Sequence, residues 1–278
     1  MKKIVLTGAA GRLGSYLREP LSKLADEFVS TDIAESVGTL YNNETYIKAD
    51  LADAAAIHAL LEGADMVVHF GAMGDEAPFE QILGPNIVGA YNIWEAAHQQ
   101  GLKRVVYASS IHAVGMHAQQ DFLGIDAPHR PDTFYGLAKC FAEDLGRMYW
   151  DKRGLECVCL RILSCAQVTS PRALGTWLSY DDMIQLTLRA IDTPTTGFSV
   201  IYGVSDNDRT PVDNSKAHHL GYRPKDNAEQ FAAEILAQAD SSDPTDPAQM
   251  HHGGPFAAVD LGNSGMATMD IVDDRKET

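Results

Sequence analysis

Thr7-Gly-Ala-Ala-Gly-Arg-Leu-Gly14, set straight after a short apolar run, constrains the fold of this chain more than any other stretch. Residues 3–7 read as a buried strand, and Leu13, Leu17, Leu21 and Leu24 follow at helical spacing. Strand, glycine loop, helix is the context of a phosphate-binding turn. Glycine permits positive φ and close backbone approach, and the helix start offers free N–H groups to a pyrophosphate. The spacing is G-x-x-G-x-x-G, not G-x-G-x-x-G, and its position after the first strand argues for a ligand-binding turn over a plain glycine-rich one. Gly8, Gly11, Arg12, Leu13 and Gly14 are therefore the first candidate cofactor residues.

The second strand, 27–32, ends in Asp32, where a carboxylate accepts hydrogen bonds from adenosine ribose hydroxyls. Ile33 follows with no arginine nearby to hold a 2′-phosphate, which favours NAD over NADP. Residues 46–51 read as a third strand ending in Asp50-Leu51, 55–61 as a helix, and 66–72 as a buried fourth strand ending in Gly71-Ala72. His69, inside that apolar run, reads as a core histidine. A helix over 86–97, a fifth strand over 104–110 ending in Ser109-Ser110, a helix from Tyr135 to about Lys152 and a sixth strand over 156–162 complete this half. The alternation predicts a doubly wound, Rossmann-type parallel sheet covered on both faces, with ligands beyond the carboxyl ends of its strands. Gly8, Asp32, Asp50, Ala72, Ser110 and Ser164 all fall at such ends.

Tyr135-Gly-Leu-Ala-Lys139 supplies the chemistry. Tyrosine and lysine four apart share one helix face. An ammonium beside a phenol favours the phenolate, so the spacing predicts a phenol lowered from its ordinary value of about 10 and a usable general base.

The last third is looser: a helix over 177–191, a strand over 198–202, a helix over 227–237, then a stretch rich in Asp, Ser, Pro, Gly and His. It predicts a NAD-binding region at 1–163, a small C-terminal substrate-binding region at 164–238 interleaved with it as one unit, and an irregular tail at 239–278. His251-His252, with no third ligand, reads as a solvated pair, and no metal is expected. The formal charge of −16 argues against nucleic acid or an anionic membrane surface as partner. No run has signal-peptide form or membrane-spanning length. Cys140, Cys157, Cys159 and Cys165 follow no zinc spacing and read as reduced thiols of a cytoplasmic protein.

Together, the Thr7–Gly14 loop, Asp32, Asp50-Leu51, Gly71-Ala72, Asn86-Ile-Val-Gly89, Ser109-Ser110 and Tyr135-x-x-x-Lys139 resemble the extended short-chain dehydrogenase/reductase superfamily. Within it the chain is similar to the uronate dehydrogenases, through Pro78-Phe-Glu-Gln-Ile-Leu83, Arg161-Ile-x-Ser164-Cys165, Thr176-Trp177-x-Ser179-x-Asp-Asp182 and Leu220-Gly-Tyr-Arg-Pro-Lys-Asp-Asn-Ala-Glu229. The resemblance implies NAD-dependent oxidation of D-glucuronate and D-galacturonate at C1 to the aldarolactone, by a homo-oligomer. It implies Tyr135 as general base, Lys139 as the residue that tunes it and holds the nicotinamide ribose, and Ser110 on the reacting oxygen. Arg172 would grip the sugar carboxylate, with Ser164, Ile111 and His112 lining the sugar site. Ile111 stands where the family often has a polar residue, and Gly74 where a serine is expected. Both departures remove sugar hydrogen bonds and bear on the preference between uronates. Two other readings remain: a sugar or sugar-nucleotide epimerase of the same superfamily, and a non-enzymatic dinucleotide-sensing protein.

Overall fold

The computed structural model describes residues 2–239 and 243–269, so part of the expected tail, 240–242 and 270–278, lies outside the described residues. The strands are β1 (Lys3–Thr7), β2 (Glu27–Asp32), β3 (Glu44–Lys48), β4 (Met66–His69), β5 (Arg104–Ser110), β6 (Leu123–Gly124), β7 (Glu156–Ile162), β8 (Phe198–Gly203) and β9 (Val212–Asp213). Seven form one sheet in the order β3-β2-β1-β4-β5-β7-β8, every pair parallel, while β6 and β9 pair apart from it. The helices are α1 (Arg12–Leu24), α2 (Ala54–Leu60), α3 (Phe79–Ile82), α4 (Gly89–Gln99), α5 (Phe134–Arg153), α6 (Ala173–Thr176), α7 (Tyr180–Asp192), α8 (Ala232–Gln238), α9 (Pro247–Met250) and α10 (Pro255–Ala258).

Side chains alternate across a strand, so each strand feeds two cores. Ile4 and Leu6 pack with Val68, Val106, Leu160 and the apolar stripes of α1 and α7, including Leu17, Leu21, Met183 and Leu186. Val5 points the other way, to Val67, Val105, Cys157 and the stripes of α2, α4 and α5, including Ile57, Ile93 and Leu145. All four cysteines are buried thiols. His69 is 2% exposed, its Nδ1 lies 2.7 Å from the Thr7 hydroxyl, and burial pulls its pKa down to about 3, so it is a neutral core residue.

Several element ends differ from the sequence pattern for reasons of pairing. β3 stops at Lys48 because its partner β2 stops at Asp32, which leaves Asp50-Leu51 in the following turn. β4 stops at His69, opposite Thr7, where the chain of β1 turns away. The helix expected to begin at Asn86 instead continues from α3 through a π-helical stretch, Leu83–Val88, into α4. Pro85 lies inside that stretch and has no N–H for the preceding turn, so the backbone widens there. β8, from the last third, extends the same sheet beside β7.

The strand order reverses between β1 and β4, and the carboxyl ends of both face one crevice. That topological switch point is where ligands lie in open α/β sheets.

Candidate active site

The glycine loop turns at Gly8, where φ is +74° and a Cβ would stand 2.6 Å from the Gly71 amide nitrogen. Only glycine accommodates both the left-handed backbone and the approach of the β4 loop. Gly14 brings α1 against the turn: a Cβ there would stand 1.9 Å from the Gly8 carbonyl. No side chain caps α1, and its first turn holds no acid, so its leading N–H groups stay available. Asp32 accepts hydrogen bonds from the Ala10 amide at 3.0 Å and the Ala34 amide at 3.2 Å, and so braces the loop from the end of β2. Arg12 has a buried Nη1 with no hydrogen-bond partner among the described residues. An unpartnered guanidinium N–H over a glycine cradle suits an anionic pyrophosphate.

The loop opens into a cleft of about 430 Å³. Of the residues expected from sequence, Gly8, Gly11, Arg12, Leu13, Gly14, Ala72, Ser110, Ile111, His112, Tyr135, Lys139, Ser164 and Arg172 line it. Asp32, Asp50, Leu51 and Gly71 do not. Asp50 is exposed and accepts from the Ala52 amide at 2.9 Å. Leu51 is buried against Gly71 and Gly89.

Tyr135 and Lys139 sit in the first turns of α5, whose start is fixed by Thr133 accepting from the Gly136 amide at 3.0 Å. Lys139 is 3% exposed. Its Nζ donates to the Ala108 carbonyl at 2.7 Å and lies 5.2 Å from the centroid of the Tyr135 ring. The ammonium thus lies over the π face of the tyrosine ring. The expected lowering of the phenol is not found here. Burial pushes Tyr135 up to about 12, opposed by its Ser110 hydrogen bond and reinforced by Asp132 and Asp75. Burial pulls Lys139 down to about 7, opposed by Glu143. One-turn spacing sets how close the two groups lie, while depth in the fold sets how readily each holds charge.

Glu143, one turn beyond Lys139, anchors this helix to the sheet. It pairs with Arg161 at 2.8 Å, accepts from the Ser109 hydroxyl at 2.5 Å and faces His129 Nε2 at 2.9 Å. Burial alone would raise its pKa, but His129, Arg161 and Ser109 hold it down at about 2. The Cys140 and Glu143 side chains raise His129 to about 10.

Arg172, which also lines the cleft, donates through Nη1 to the Ser164 hydroxyl at 3.2 Å and through Nη2 to the His252 carbonyl at 2.6 Å. No carboxylate lies within ion-pair distance of it among the described residues. Burial pulls its pKa down to about 10, with Asp132 acting the other way. Its guanidinium is therefore part-buried, charged at neutral pH and without a direct ion-pair partner among the described residues. His112 bonds through Nδ1 to Asp132 at 2.7 Å, stacks on Phe256 at 4.1 Å between ring centroids, and meets the Tyr135 ring edge to face at 5.7 Å. Gly74 leaves open space, since a Cβ there would meet nothing within 4 Å.

Asp75, Gly253, Pro255, Phe256, Met266 and Met269 also line the cleft, and sequence reasoning missed their part in it. The C-terminal ones fall in the stretch expected to be an irregular tail, where no apolar period marks an element. Instead, residues 251–269 return to the site as an arm. His252 departs from the solvated reading: it is 3% exposed, with its Nε2 2.9 Å from the Asp121 carbonyl. His251 faces the Pro247 carbonyl through Nδ1 at 3.1 Å. Among the described residues no cluster of three or more ligand-type side chains could hold a metal, and no helix is long and apolar enough to cross a membrane.

The model of the NAD dependent epimerase/dehydratase family matches residues 4–172. The uronate dehydrogenase of Pseudomonas putida is 46% identical over 259 residues, covering 92% of this chain and 96% of its own. The crystal structure of a glucuronic acid dehydrogenase from Chromohalobacter salexigens superposes with a TM-score of 0.90 at 41% identity, over 93% of this chain and 97% of that one. A uronate dehydrogenase from Agrobacterium tumefaciens, solved as a mutant complexed with NAD, superposes with a TM-score of 0.88 at 43% identity, over 92% of this chain and 97% of that one.

Proposed function

We propose, for a chain that belongs to the NAD dependent epimerase/dehydratase family and within it to the uronate dehydrogenases, that it oxidises D-glucuronate and D-galacturonate at C1 to the aldarolactone with NAD. The observation that carries this reading is the lining of the cleft: a tyrosine with its serine and a part-buried arginine that makes no ion pair among the described residues share one cavity. A cyclic uronate offers the matching groups, a reactive anomeric hydroxyl at C1 and a carboxylate across the ring.

When bound, NAD supplies the hydride acceptor. The glycine cradle at Gly8 and Gly14, the uncapped start of α1 and the orphan Arg12 Nη1 fit its pyrophosphate. Asp32 stands ready for the adenosine ribose, and Ile33 beside it offers no charge to a 2′-phosphate. Asp50, Leu51, Gly71 and Ala72 support the adenine and ribose side of the cradle. Lys139 serves the nicotinamide ribose.

Ser110 donates to the anomeric oxygen and holds it beside Tyr135. Tyr135, as phenolate, takes the hydroxyl proton as C1 is oxidised. The high pKa of the buried phenol makes it a strong base once ionised. A protonated Lys139 beneath its ring favours that ionisation. Arg172 forks both carboxylate oxygens, which positions C1 at the far end of the ring. Ser164 and His112 bond ring hydroxyls, and Ile111 contributes an apolar wall.

Residues 1–163 hold the cofactor on this reading, with 164–238 and residues 251–269 completing the sugar side. The protein is a cytoplasmic homo-oligomer: buried cysteine thiols suit a reducing compartment, and Tyr91, Leu137 and Met148 expose apolar surface on α4 and α5 for a second copy. The test is NADH absorbance across free uronic acids and neutral sugars. Stoichiometric NADH with glucuronate and galacturonate is expected; dinucleotide binding without turnover on any sugar acid would refute the assignment and favour a sensor.

A further inference from the structure

Glu76 is a buried carboxylate, 2% exposed, in the loop between β4 and α3. Its two oxygens serve different parts of the chain. Oε2 accepts from the Tyr135 amide at 2.8 Å, and Oε1 accepts from the Gly262 amide at 2.8 Å, 186 residues further on. Tyr135 is the second residue of α5, so its N–H has no intrahelical acceptor. A carboxylate there satisfies that group and meets the positive end of the helix dipole. Neighbouring Asp75 binds the same C-terminal arm, accepting from the Gly265 amide at 3.0 Å, the Met266 amide at 3.1 Å and the Ser264 hydroxyl.

The arm held in this way reaches the sugar end of the cleft. Phe256 stacks on His112 and lies 6.3 Å from the Tyr135 ring centroid. The His252 carbonyl receives Arg172. One buried side chain therefore links the backbone of the tyrosine to the segment that positions His112 and Arg172. We infer that Glu76 is a positioning residue for the reaction: it ties the first turn of α5 to the C-terminal arm, so that the base and the arm-borne wall of the sugar site keep one register.

This inference rests on the reading of Tyr135 as the base, and the experiment separates the two. Glu76→Gln keeps the shape but leaves one acceptor oxygen, so one of the two amides loses its partner. A displacement of about an ångström at a base costs on the order of a hundredfold in rate. The expected result is a fall in kcat on glucuronate of about tenfold to a hundredfold, with NAD affinity by fluorescence titration within about twofold of the parent. Hydrogen exchange in peptides spanning 255–269 should speed up in the same variant. A merely structural role would lower the melting temperature without splitting kcat from NAD binding. Glu76→Asp, which keeps both acceptors on a shorter stem, should recover part of kcat.

Ser264→Ala loosens the arm from Asp75 without touching Glu76. It should speed arm exchange and lower kcat by a smaller factor. Parent-like kcat in Glu76→Gln overturns the inference, and so does unchanged arm exchange. If Glu76→Gln does not fold, faster arm exchange with unchanged kcat in Ser264→Ala overturns it instead. If the parent oxidises no uronate, the functional reading fails, and arm exchange in Glu76→Gln still decides whether the link exists.

Discussion

Replacing Arg172 with alanine separates recognition of the sugar acid from the chemistry at C1. In the structure the guanidinium rests on the Ser164 hydroxyl and the His252 carbonyl, neither of which neutralises it. Burial lowers its pKa from the ordinary arginine value to about 10. At about 1.4 kcal/mol per unit, holding that charge costs the folded protein on the order of a few kcal/mol at most, because the part-buried side chain keeps some contact with solvent. The sign follows from the direction of the shift. A base whose folded pKa is depressed destabilises the fold while it is charged, so the penalty is present below pH 10 and disappears as the pH rises from about 10 towards the ordinary arginine value. On the proposed reading, the charge is an unfavourable feature of the fold that a substrate carboxylate would relieve. A charge-assisted, bidentate pair in such a site contributes about 3 kcal/mol, or roughly a hundredfold in affinity. Arg172→Ala should raise KM for glucuronate and galacturonate by about that factor. NAD affinity should hold, the melting temperature should not fall by more than a few degrees, and the preference for uronates over neutral sugars should narrow. Arg172→Lys should recover only part, because an ammonium lacks the planar fork. The assay is initial-rate NADH formation over a wide range of uronate concentration. Unchanged KM and kcat in Arg172→Ala would refute the reasoning and move attention to Arg12, whose Nη1 has no hydrogen-bond partner among the described residues. Arg209 is the weaker substitute, since Glu229 already engages it through two 2.9 Å bonds.

Tyr135→Phe should bind NAD normally and lose kcat by on the order of a hundredfold or more, and near-parental turnover would remove the phenol from the mechanism. Asp32 should make kcat/KM for NAD exceed that for NADP, with Asp32→Asn narrowing the gap; equal use of both cofactors by the parent would show that the end of β2 has another role. The Glu143 network should shape stability against pH on both sides. Glu143, held down at about 2, contributes stability that is present above its ordinary value of 4.5 and is lost as the pH falls from 4.5 towards 2. His129, raised to about 10, contributes stability that is full below 6.5 and lost as the pH rises from 6.5 to 10. Melting curves of His129→Ala should therefore show a flatter alkaline limb than the parent, and parallel curves from pH 6 to 10 would contradict the pairing.

Features that depend only on neighbours along the chain are legible in the residues themselves. The apolar run before Gly8 is β1, with the glycine turn and α1 where the pattern places them, because strand alternation, positive φ and helical spacing are local properties. Ser110 at the end of β5, and Tyr135 one turn before Lys139, follow in the same way. Thirteen of the expected site residues share one cleft because the ends of parallel strands must meet at one edge of the sheet. Tertiary structure alone decided the rest. Where β3 and β4 stop depends on their partners β2 and β1. The protonation of Tyr135 and Lys139 depends on burial by segments distant in sequence, which reversed the expected direction for the phenol. Phe256 belongs to the site because Asp75 and Glu76 hold the arm that carries it, through bonds spanning up to 191 residues. Contacts of that separation leave no periodic trace in a chain, since the residues that make them gain their meaning only when folding brings the two ends together.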